Sequence, residues 1–244
     1  MIRLLLVLIA IILFFILTLP VLLVLYIIGR KDPDRKHRAA SAIVRWIFRV
    51  LRVLAGVDLT VKGQDKIPTD SGVLYVGNHR SFFDVVLTFP YTKGVAGYIA
   101  KNSLKKVPFL YTWMLFINCI LFDRSDIKDG MRMIKAGTAI LSRGDSVFVF
   151  PEGTRSKNPS ELPLLEFHEG SFRMATKSKC PIVPVAITGT ADILENHFPW
   201  IRKSNVTIEF CDPIYPEQVP KEMRKKFGLM AMQVIEEKLK ENMA

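Results

Sequence analysis

The sequence predicts an α/β fold: a mostly parallel sheet flanked by helices, preceded by an N-terminal two-helix membrane anchor. From residue 57 onward, short apolar runs of strand length alternate with stretches of helical periodicity, as in parallel-sheet proteins. Residues 4–28 form an apolar run of 25 residues without a charge. The formal net charge of +11 indicates an anionic partner. We therefore divide the chain into a membrane-anchoring region, 1–56, and a second domain, 57–244.

The apolar run comes first. As one helix, residues 4–28 would measure roughly 38 Å at about 1.5 Å per residue, enough to cross a hydrocarbon core of about 30 Å. Pro20 lies inside the run and favours a kink, so a shallow hairpin in one leaflet stays open beside a full span. A signal peptide is the competing interpretation, but the run is long for one and no small-residue cleavage site follows.

Residues 34–54 predict a second helix with one apolar face, formed by Ala40, Ile43, Ile47, Val50 and Leu54. Residues 1–56 contain nine basic and two acidic residues, so this quarter carries +7 of the net charge of +11. A basic amphipathic helix after an apolar one is typical of a membrane surface; packing on the second domain is the alternative. The basic residues crowd the C-terminal side of the run, which predicts a cell-membrane protein whose second domain faces the cytoplasm.

The second domain contains seven predicted strands and five predicted helices. The strands are residues 58–61, 73–76, 97–100, 119–122, 146–150, 182–187 and 206–210. The helices are residues 82–89, 109–117, 127–141, 170–177 and 222–241. In such a sheet, functional residues gather beyond the carboxyl ends of the strands.

The stretch "GNHRSFFD", residues 77–84, follows the second predicted strand and places His79 at its carboxyl end. Ser81 can cap the next helix, with Asp84 as the capping-box acid. The same acid can orient one nitrogen of His79, which would make His79 a general base. Because the chain has no G-x-S-x-G elbow, we expect His79 to activate a hydroxyl of the substrate itself. No second His or Cys stands at ligand spacing, so no metal is predicted.

Two arginine-containing stretches also follow predicted strands. In "FPEGTRS", residues 150–156, Gly153 lets the backbone approach a ligand and Arg155 offers a planar fork suited to phosphate; a solvated turn is the alternative. In "FDRS", residues 122–125, Arg124 again follows an apolar strand. Together they predict one anionic pocket. Lys101 is a further candidate, with an ordinary surface lysine as the alternative.

Three other features complete the candidate site. Pro181 and Pro184 in "PIVPVAITGT" imply that this strand is an edge or that the chain kinks beside the site. Residues 156–169 form the longest irregular loop and a candidate lid. The backbone N–H groups of residues 77–80 are candidate oxyanion donors. The three cysteines lack zinc spacing and are expected to be reduced.

Four motifs appear in order: N-H-x-x-x-x-D at residues 78–84, D-R at 123–124, F-P-E-G-T-R-S at 150–156 and V-P-V at 183–185. Over about residues 70–190 the chain therefore resembles the lysophosphatidic acid (1-acylglycerol-3-phosphate) acyltransferase family, within the wider glycerolipid acyltransferases. One such motif is weak, whereas four in this order are highly specific.

The resemblance implies an O-acyltransferase that moves a fatty acyl group from a thioester to the sn-2 hydroxyl of lysophosphatidic acid, giving phosphatidic acid. His79 would be the base and Asp84 its partner. The candidate substrate-binding residues are Asn78, Lys101, Arg124, Glu152, Gly153, Thr154, Arg155 and Pro184. Acyl-CoA or acyl-acyl carrier protein would be the co-substrate, with no bound cofactor, and an anionic phospholipid membrane would be the partner surface.

The chain departs from its relatives after the third motif. They often carry a Lys-rich "FKKG", whereas this chain has "FHEG" at residues 167–170, which removes the basis for a phosphate or donor role there. His168 is interpreted as a loop residue. Two other functions remain open: acylation of another lysophospholipid, and a non-catalytic protein that binds membrane or nucleic acid. The apolar run argues against nucleic acid.

Overall fold

A computed structural model describes residues 1–243 and contains a seven-stranded sheet in the order β1-β7-β6-β2-β5-β3-β4. The strands are β1 Val57–Lys62, β2 Leu74–Gly77, β3 Ala96–Lys101, β4 Ile120–Phe122, β5 Ser146–Val149, β6 Ile182–Thr188 and β7 Ser204–Phe210. Each of the seven predicted strands is confirmed, with its ends within two residues of the expected ones.

Eight α-helices accompany the sheet in the described part of the chain. They are α1 Ile2–Leu17, α2 Leu19–Lys31, α3 Pro33–Ala55, α4 Phe83–Thr88, α5 Pro108–Phe116, α6 Ile127–Ser142, α7 Arg173–Ser178 and α8 Phe227–Met243. The prediction for the last helix was wrong at its start, because a separate 3-10 turn occupies Lys221–Met223. The Arg224 guanidinium donates to the carbonyls of Val219 and Glu217 and holds the chain in that turn.

Strand direction places the expected site at one edge of the sheet. All neighbouring strands run parallel except β6 and β7, which run antiparallel. The carboxyl ends of β2, β3, β4, β5 and β6 therefore meet at the same edge, where motifs after different strands can converge. Strands β2 and β5 are buried along their whole length, as expected for strands covered on both faces.

Pro184 lies in an interior strand, so of the two alternatives stated for it the edge strand was wrong, and a kink beside the site stays a prediction. Strand β6 lies between β7 and β2, and Pro184 is in register with Val76. The Pro184 carbonyl accepts a hydrogen bond from the amide of Cys211, one residue beyond the end of β7. Proline has no N–H to donate at this position, but β7 has already ended there, so no hydrogen bond of the β6–β7 ladder is lost. Proline is therefore tolerated in this interior strand.

The N-terminal apolar run is bent rather than continuous. Helices α1 and α2 meet at Thr18 with a bend of 50°. Pro20 lies in the first turn of α2, where its missing N–H is not needed, so the expected interruption is confirmed. Among residues 1–243, no single helix is long and apolar enough to cross a membrane, whereas this bent pair passes both criteria when taken together.

Helix α3 packs on the protein through its apolar face. Asp32 caps its start by accepting from the Arg35 amide, and Gly56 ends it in the left-handed conformation. Its buried apolar residues recur at helical steps and are at most 5% exposed: Ala40, Val44, Ile47, Leu51 and Ala55. They lie in one core with α4, α5 and one face of the sheet. Of the predicted apolar face, Ala40 and Ile47 are buried, whereas Ile43, Val50 and Leu54 are half-buried. The alternative expectation, packing on the second domain, describes the buried face, and a membrane-surface role for the rest of the helix stays a prediction.

Helices α1 and α2 pack on α3 and leave much of their apolar surface uncovered. Phe14 of α1 lies against Trp113 of α5, with ring centroids 5.2 Å apart. Most of the other large apolar side chains of both helices are exposed. The domain boundary at residue 56 stays a prediction, since α3 and the sheet share a core.

Candidate active site

His79 lies in the short connection between β2 and α4, and its ring contacts Asp84. His79 Nδ1 is 2.7 Å from Asp84 Oδ2, and the Asp84 side chain is fully buried. An ionised carboxylate only accepts hydrogen bonds, so Nδ1 carries the proton and Nε2 keeps the lone pair. The arrangement is one that a general base and its orienting acid could adopt, and the catalytic roles of the two residues stay predictions.

Asp84 also caps helix α4, so the two roles expected for it coincide. Its Oδ2 accepts from the amides of Arg80 at 2.7 Å and Ser81 at 2.8 Å, besides His79. The Ser81 hydroxyl in turn accepts from the Phe83 amide at 3.0 Å. Because local backbone amides fix the carboxylate, helix formation itself places the acid against the imidazole.

The FPEGTRS segment, residues 150–156, holds His79 at three points. The Phe150 ring stacks on the imidazole with centroids 4.1 Å apart. The His79 amide donates to Glu152 Oε1 at 2.6 Å, and the His79 carbonyl accepts from the Ser156 amide at 2.7 Å. Motifs from the ends of β2 and β5 are therefore one unit around the base.

Glu152 is buried and bonded within the protein. It is 4% exposed, and its second oxygen accepts from the Leu165 amide at 3.3 Å. Burial raises the pKa of Glu152 to about 7, although the two amide donors oppose that shift. Its visible contacts position His79 and the following loop; the expected contact with substrate stays a prediction.

Two of the expected oxyanion donors are occupied. The His79 amide is bonded to Glu152 and the Arg80 amide to Asp84. Neither N–H is free to stabilise a developing negative charge in this arrangement, so the expectation was wrong for these two groups.

Gly153 is approached by Arg124 and His168. Its φ is +71°, and a Cβ there would lie 3.5 Å from Arg124 Nη1 and 3.4 Å from His168 Nε2. Burial lowers the pKa of the Arg124 guanidinium. The arginine after β4 and the glycine after β5 are thus brought together, as the sequence implied, and His168 joins them.

Lys101 and Thr154 are exposed near this cluster. Lys101 ends β3 and is in register with Phe122, just before Asp123 and Arg124. Thr154 is the exposed residue of the FPEGTRS turn. Their roles toward substrate stay predictions.

Arg155 is held by a different set of partners. Its Nη1 donates to Glu195 Oε1 at 3.0 Å, and its guanidinium carbon lies 3.7 Å from the centre of the Phe82 ring. The shared anionic pocket expected for Arg124 and Arg155 stays a prediction, while the environment of each arginine is now defined.

Asn78 and Pro184 are both buried where β2 pairs with β6. The Asn78 side chain donates through Nδ2 to the Ile187 carbonyl at 2.8 Å, and its Oδ1 accepts from the Ile187 backbone amide at 2.9 Å. The side chain thereby extends the pairing of β2 with β6 past Gly77. These contacts fix the end of β2; a direct role of either residue toward substrate stays a prediction.

Arg80 fastens the long loop that the sequence marked as a candidate lid. Its side chain is 4% exposed, with Nη2 donating to the Asn158 carbonyl at 2.7 Å and Nη1 to that of Ser160. Arg80 Nε lies 3.3 Å from Glu161 Oε2, and Glu161 Oε1 accepts from the Gly189 amide. The loop is therefore tied to the β2 and β6 ends in this conformation.

Sequence reasoning missed Glu195 and the loop-anchoring role of Arg80. Arg80 occupies an unspecified position inside the N-H-x-x-x-x-D motif, and its partners lie 78 and 80 residues away. Glu195 is 114 residues from Ser81 and lies in an irregular segment. No local periodicity or motif marks either contact.

The sequence profile described as Acyltransferase matches residues 58–188, just over half of the chain. The matched span runs from β1 to the end of β6 and contains all four motifs. The chain belongs to the acyltransferase family. This confirms the resemblance that the four motifs indicated.

Relatives with named activities match beyond that span. The chain is 27% identical over 208 residues to the 1-acyl-sn-glycerol-3-phosphate acyltransferase of Saccharomyces cerevisiae, covering 85% of this chain and 68% of that protein. It is 30% identical over 154 residues to the acyltransferase of the same name from Borreliella burgdorferi, covering 63% and 60%. The matches therefore span between about half and two thirds of such relatives, down to 55% for chloroplastic LPAT1 of Arabidopsis thaliana.

A solved structure shares the architecture. The crystal structure of the 1-acyl-sn-glycerophosphate (LPA) acyltransferase PlsC from Thermotoga maritima superposes with a TM-score of 0.71, covering 94% of this chain and 97% of that one. Sequence identity is 23%, so the likeness concerns the fold. It confirms the predicted α/β arrangement of a mostly parallel sheet flanked by helices.

Proposed function

We propose that this acyltransferase transfers a fatty acyl group from an acyl thioester to the sn-2 hydroxyl of lysophosphatidic acid, giving phosphatidic acid. The observation that carries the proposal is the bond from His79 Nδ1 to buried Asp84 at the open edge of the sheet, which leaves Nε2 as a base. The printed activities of the yeast and Borreliella relatives support the choice of acceptor.

The reaction needs no covalent enzyme intermediate, because a thioester is already activated. His79 Nε2 takes the proton of the acceptor hydroxyl while the hydroxyl oxygen forms a bond to the thioester carbon. The tetrahedral intermediate then collapses, the carbon–sulfur bond breaks, and the departing thiolate takes the proton from the imidazolium. A positioned base of this kind contributes roughly 10²–10⁴-fold, or about 3–5 kcal/mol.

The phosphate of the acceptor is bound by arginine in this scheme. Guanidinium groups offer planar pairs of N–H donors that match phosphate oxygens. Arg124 lies beside Gly153 and Arg155 beside Phe82. Gly153 and Arg155 both belong to the FPEGTRS segment that contacts His79. Holding hydroxyl and thioester together supplies roughly 7–11 kcal/mol in favourable cases, so positioning by these residues matters at least as much as the base.

The membrane completes the scheme, since acceptor and product are both lipids. Helices α1 and α2 present exposed apolar side chains that suit an acyl-chain environment. Each Lys or Arg near an anionic surface adds about 1 kcal/mol of attraction. We place the protein on the cytoplasmic side of the cell membrane, with acyl-CoA or acyl-acyl carrier protein arriving from water.

The test is a substrate panel on the purified full chain in phospholipid vesicles. Lysophosphatidic acid is compared with lysophosphatidylglycerol, lysophosphatidylethanolamine and lysophosphatidylcholine, each with acyl-CoA and with acyl-acyl carrier protein. We expect the largest kcat/KM with lysophosphatidic acid. A larger kcat/KM with a lysolipid whose phosphate is a diester would identify that lysolipid as the acceptor instead of lysophosphatidic acid. If no lysolipid were acylated, the proposed function would be rejected.

A further inference from the structure

One carboxylate, Glu195, connects the two motifs that surround the base. Its Oε2 accepts from the Ser81 hydroxyl at 2.6 Å. Its Oε1 accepts from the Phe82 amide at 2.9 Å and from Arg155 Nη1 at 3.0 Å. A single side chain therefore holds both the start of α4, which carries Asp84, and the arginine of FPEGTRS.

Glu195 lies outside every motif and outside the segment that matches the acyltransferase family, which ends at residue 188. It begins a 3-10 turn, Glu195–His197, in the segment that follows β6. Its side chain is 22% exposed, so the ion pair with Arg155 is partly shielded from water. Screening by solvent is weaker for such a pair than for a fully exposed one.

The contacts restrict Arg155 without using up its donors. Glu195 takes a hydrogen bond from Nη1 only, while the Phe82 ring covers one face of the guanidinium. A guanidinium has five N–H donors, so an edge is left for an anionic ligand. A long flexible arginine that is already oriented loses less freedom when it binds phosphate.

We propose that Glu195 is a positioning residue that orients Arg155 toward the acceptor phosphate and fixes the start of α4. The inference rests on the proposed function, in that Arg155 is taken to bind the phosphate of a lysolipid. Glu195 itself touches no reacting atom. The competing effect has the opposite sign: a carboxylate near a phosphate repels it, and if repulsion dominated, removing Glu195 would tighten acceptor binding.

The experiment separates these effects by kinetics of the full chain in vesicles, with Glu195→Ala, Glu195→Gln, Arg155→Ala and the double variant Arg155→Ala/Glu195→Ala. We expect Glu195→Ala to raise KM for the lysolipid about tenfold and to leave KM for the acyl donor within about twofold. Glu195→Gln keeps an oxygen that can accept from the Phe82 amide. Its KM for the lysolipid should therefore stay close to the wild-type value. In the Arg155→Ala background, Glu195→Ala should raise the acceptor KM no further, because the two residues act as a unit.

Glu217→Ala is the matched control, since Glu217 also pairs with a basic side chain, Lys179, at 3.0 Å but is 64% exposed. Its kinetics should equal wild type. A lower or unchanged acceptor KM in Glu195→Ala, or equal rises for acceptor and donor, would overturn the proposal. So would full additivity with Arg155→Ala.

The measurement uses whichever lysolipid the wild type acylates best, because every lysophospholipid carries a phosphate. If that lipid is not lysophosphatidic acid, the proposed acceptor is wrong. The Glu195 prediction is still tested, by comparing the change in acceptor KM with the change in donor KM. Hydrogen exchange of the Phe82 amide gives a reading independent of turnover: protection should fall in Glu195→Ala and persist in Glu195→Gln. Equal protection of the Phe82 amide in wild type and Glu195→Ala would show that Glu195 does not hold this amide, and would reject the inference.

Discussion

The two motifs around His79 are built in different ways. In residues 77–84, the base, its acid and the helix cap are joined by bonds that span at most five residues. In residues 150–156, each functional residue depends on a distant partner: Glu152 on His79, Gly153 on the approach of Arg124, and Arg155 on Glu195. The pairing of His79 with Asp84 is therefore specified locally, whereas the candidate binding residues around it are specified by the tertiary fold.

The largest expected effect falls on the local motif. His79→Ala removes the only proton acceptor proposed for the acceptor hydroxyl, so acyl transfer should fall on the order of 10²–10⁴-fold. Circular dichroism should match wild type and the melting temperature should fall only modestly, because the lost contacts are the Phe150 stack and one bond to Asp84, whose Oδ2 keeps two amide donors. Near-normal turnover by a folded variant would remove His79 from the mechanism.

Asp84→Asn tests whether charge or geometry matters in the local motif. One oxygen of Asp84 accepts all three local hydrogen bonds, so the asparagine carbonyl can keep them. The variant loses the charge that stabilises the imidazolium and buries an NH₂ group in place of Asp84 Oδ1, which has no hydrogen-bond partner. We expect kcat to drop about 10²-fold or more with little change in either KM. Asp84→Ala should in addition lower the melting temperature, because the cap is lost. If Asp84→Asn were as active as wild type, the acid would serve only as a cap.

Glu152 tests the tertiary motif through pH. Its pKa is raised from 4.5 to about 7 by burial, so the protonated folded form is favoured. The stability it contributes is full below about pH 4.5 and is lost as pH rises through about 7, by at most about 3 kcal/mol. Glu152→Gln removes the pH dependence of the unfolding free energy that comes from this carboxyl group. The variant also carries a penalty that does not vary with pH, because its NH₂ group faces a backbone N–H donor. Urea unfolding in detergent should therefore show the variant gaining on wild type between pH 4.5 and 7.5; parallel curves would contradict the shift.

The smallest expected effect comes from Gly153→Ala, with Gly144→Ala as its matched control. Both glycines have positive φ, +71° and +88°, but a Cβ at Gly144 would meet nothing within 4 Å. Each variant should lose about 1 kcal/mol of unfolding free energy to backbone strain. Only Gly153→Ala should also raise KM for the lysolipid, because the new methyl group lies 3.3 Å from His168 Cδ2 and the His168 ring, which lies beside Arg124, must shift. Equal KM values for the lysolipid in the two variants would mean that the close contact of Arg124 and His168 with Gly153 does not affect acceptor binding.

The same contrast explains what could be predicted from sequence. Apolar runs and helical periodicity depend on near neighbours, and they located all seven strands and the bend near Pro20. The pairing of His79 with Asp84 followed from the same kind of local information. What the sequence left open depended on distant chain segments: the partner of the apolar face of α3 and the interior position of Pro184. The late start of α8 is a local exception, because it depends on Arg224 bonds that span five and seven residues. Glu195 could not have been found, because its role exists only once β6 brings residue 195 beside Ser81.

The sheet also divides the helices into two layers. The side chains of α1 to α5 share a core with one face of the sheet, and those of α6, α7 and α8 share a core with the other. A reporter fused after α8 would therefore be attached across the sheet from α1 and α2. A C-terminal fluorophore or affinity tag would accordingly leave the exposed apolar surface of those two helices undisturbed, whereas an N-terminal tag would be attached directly to α1.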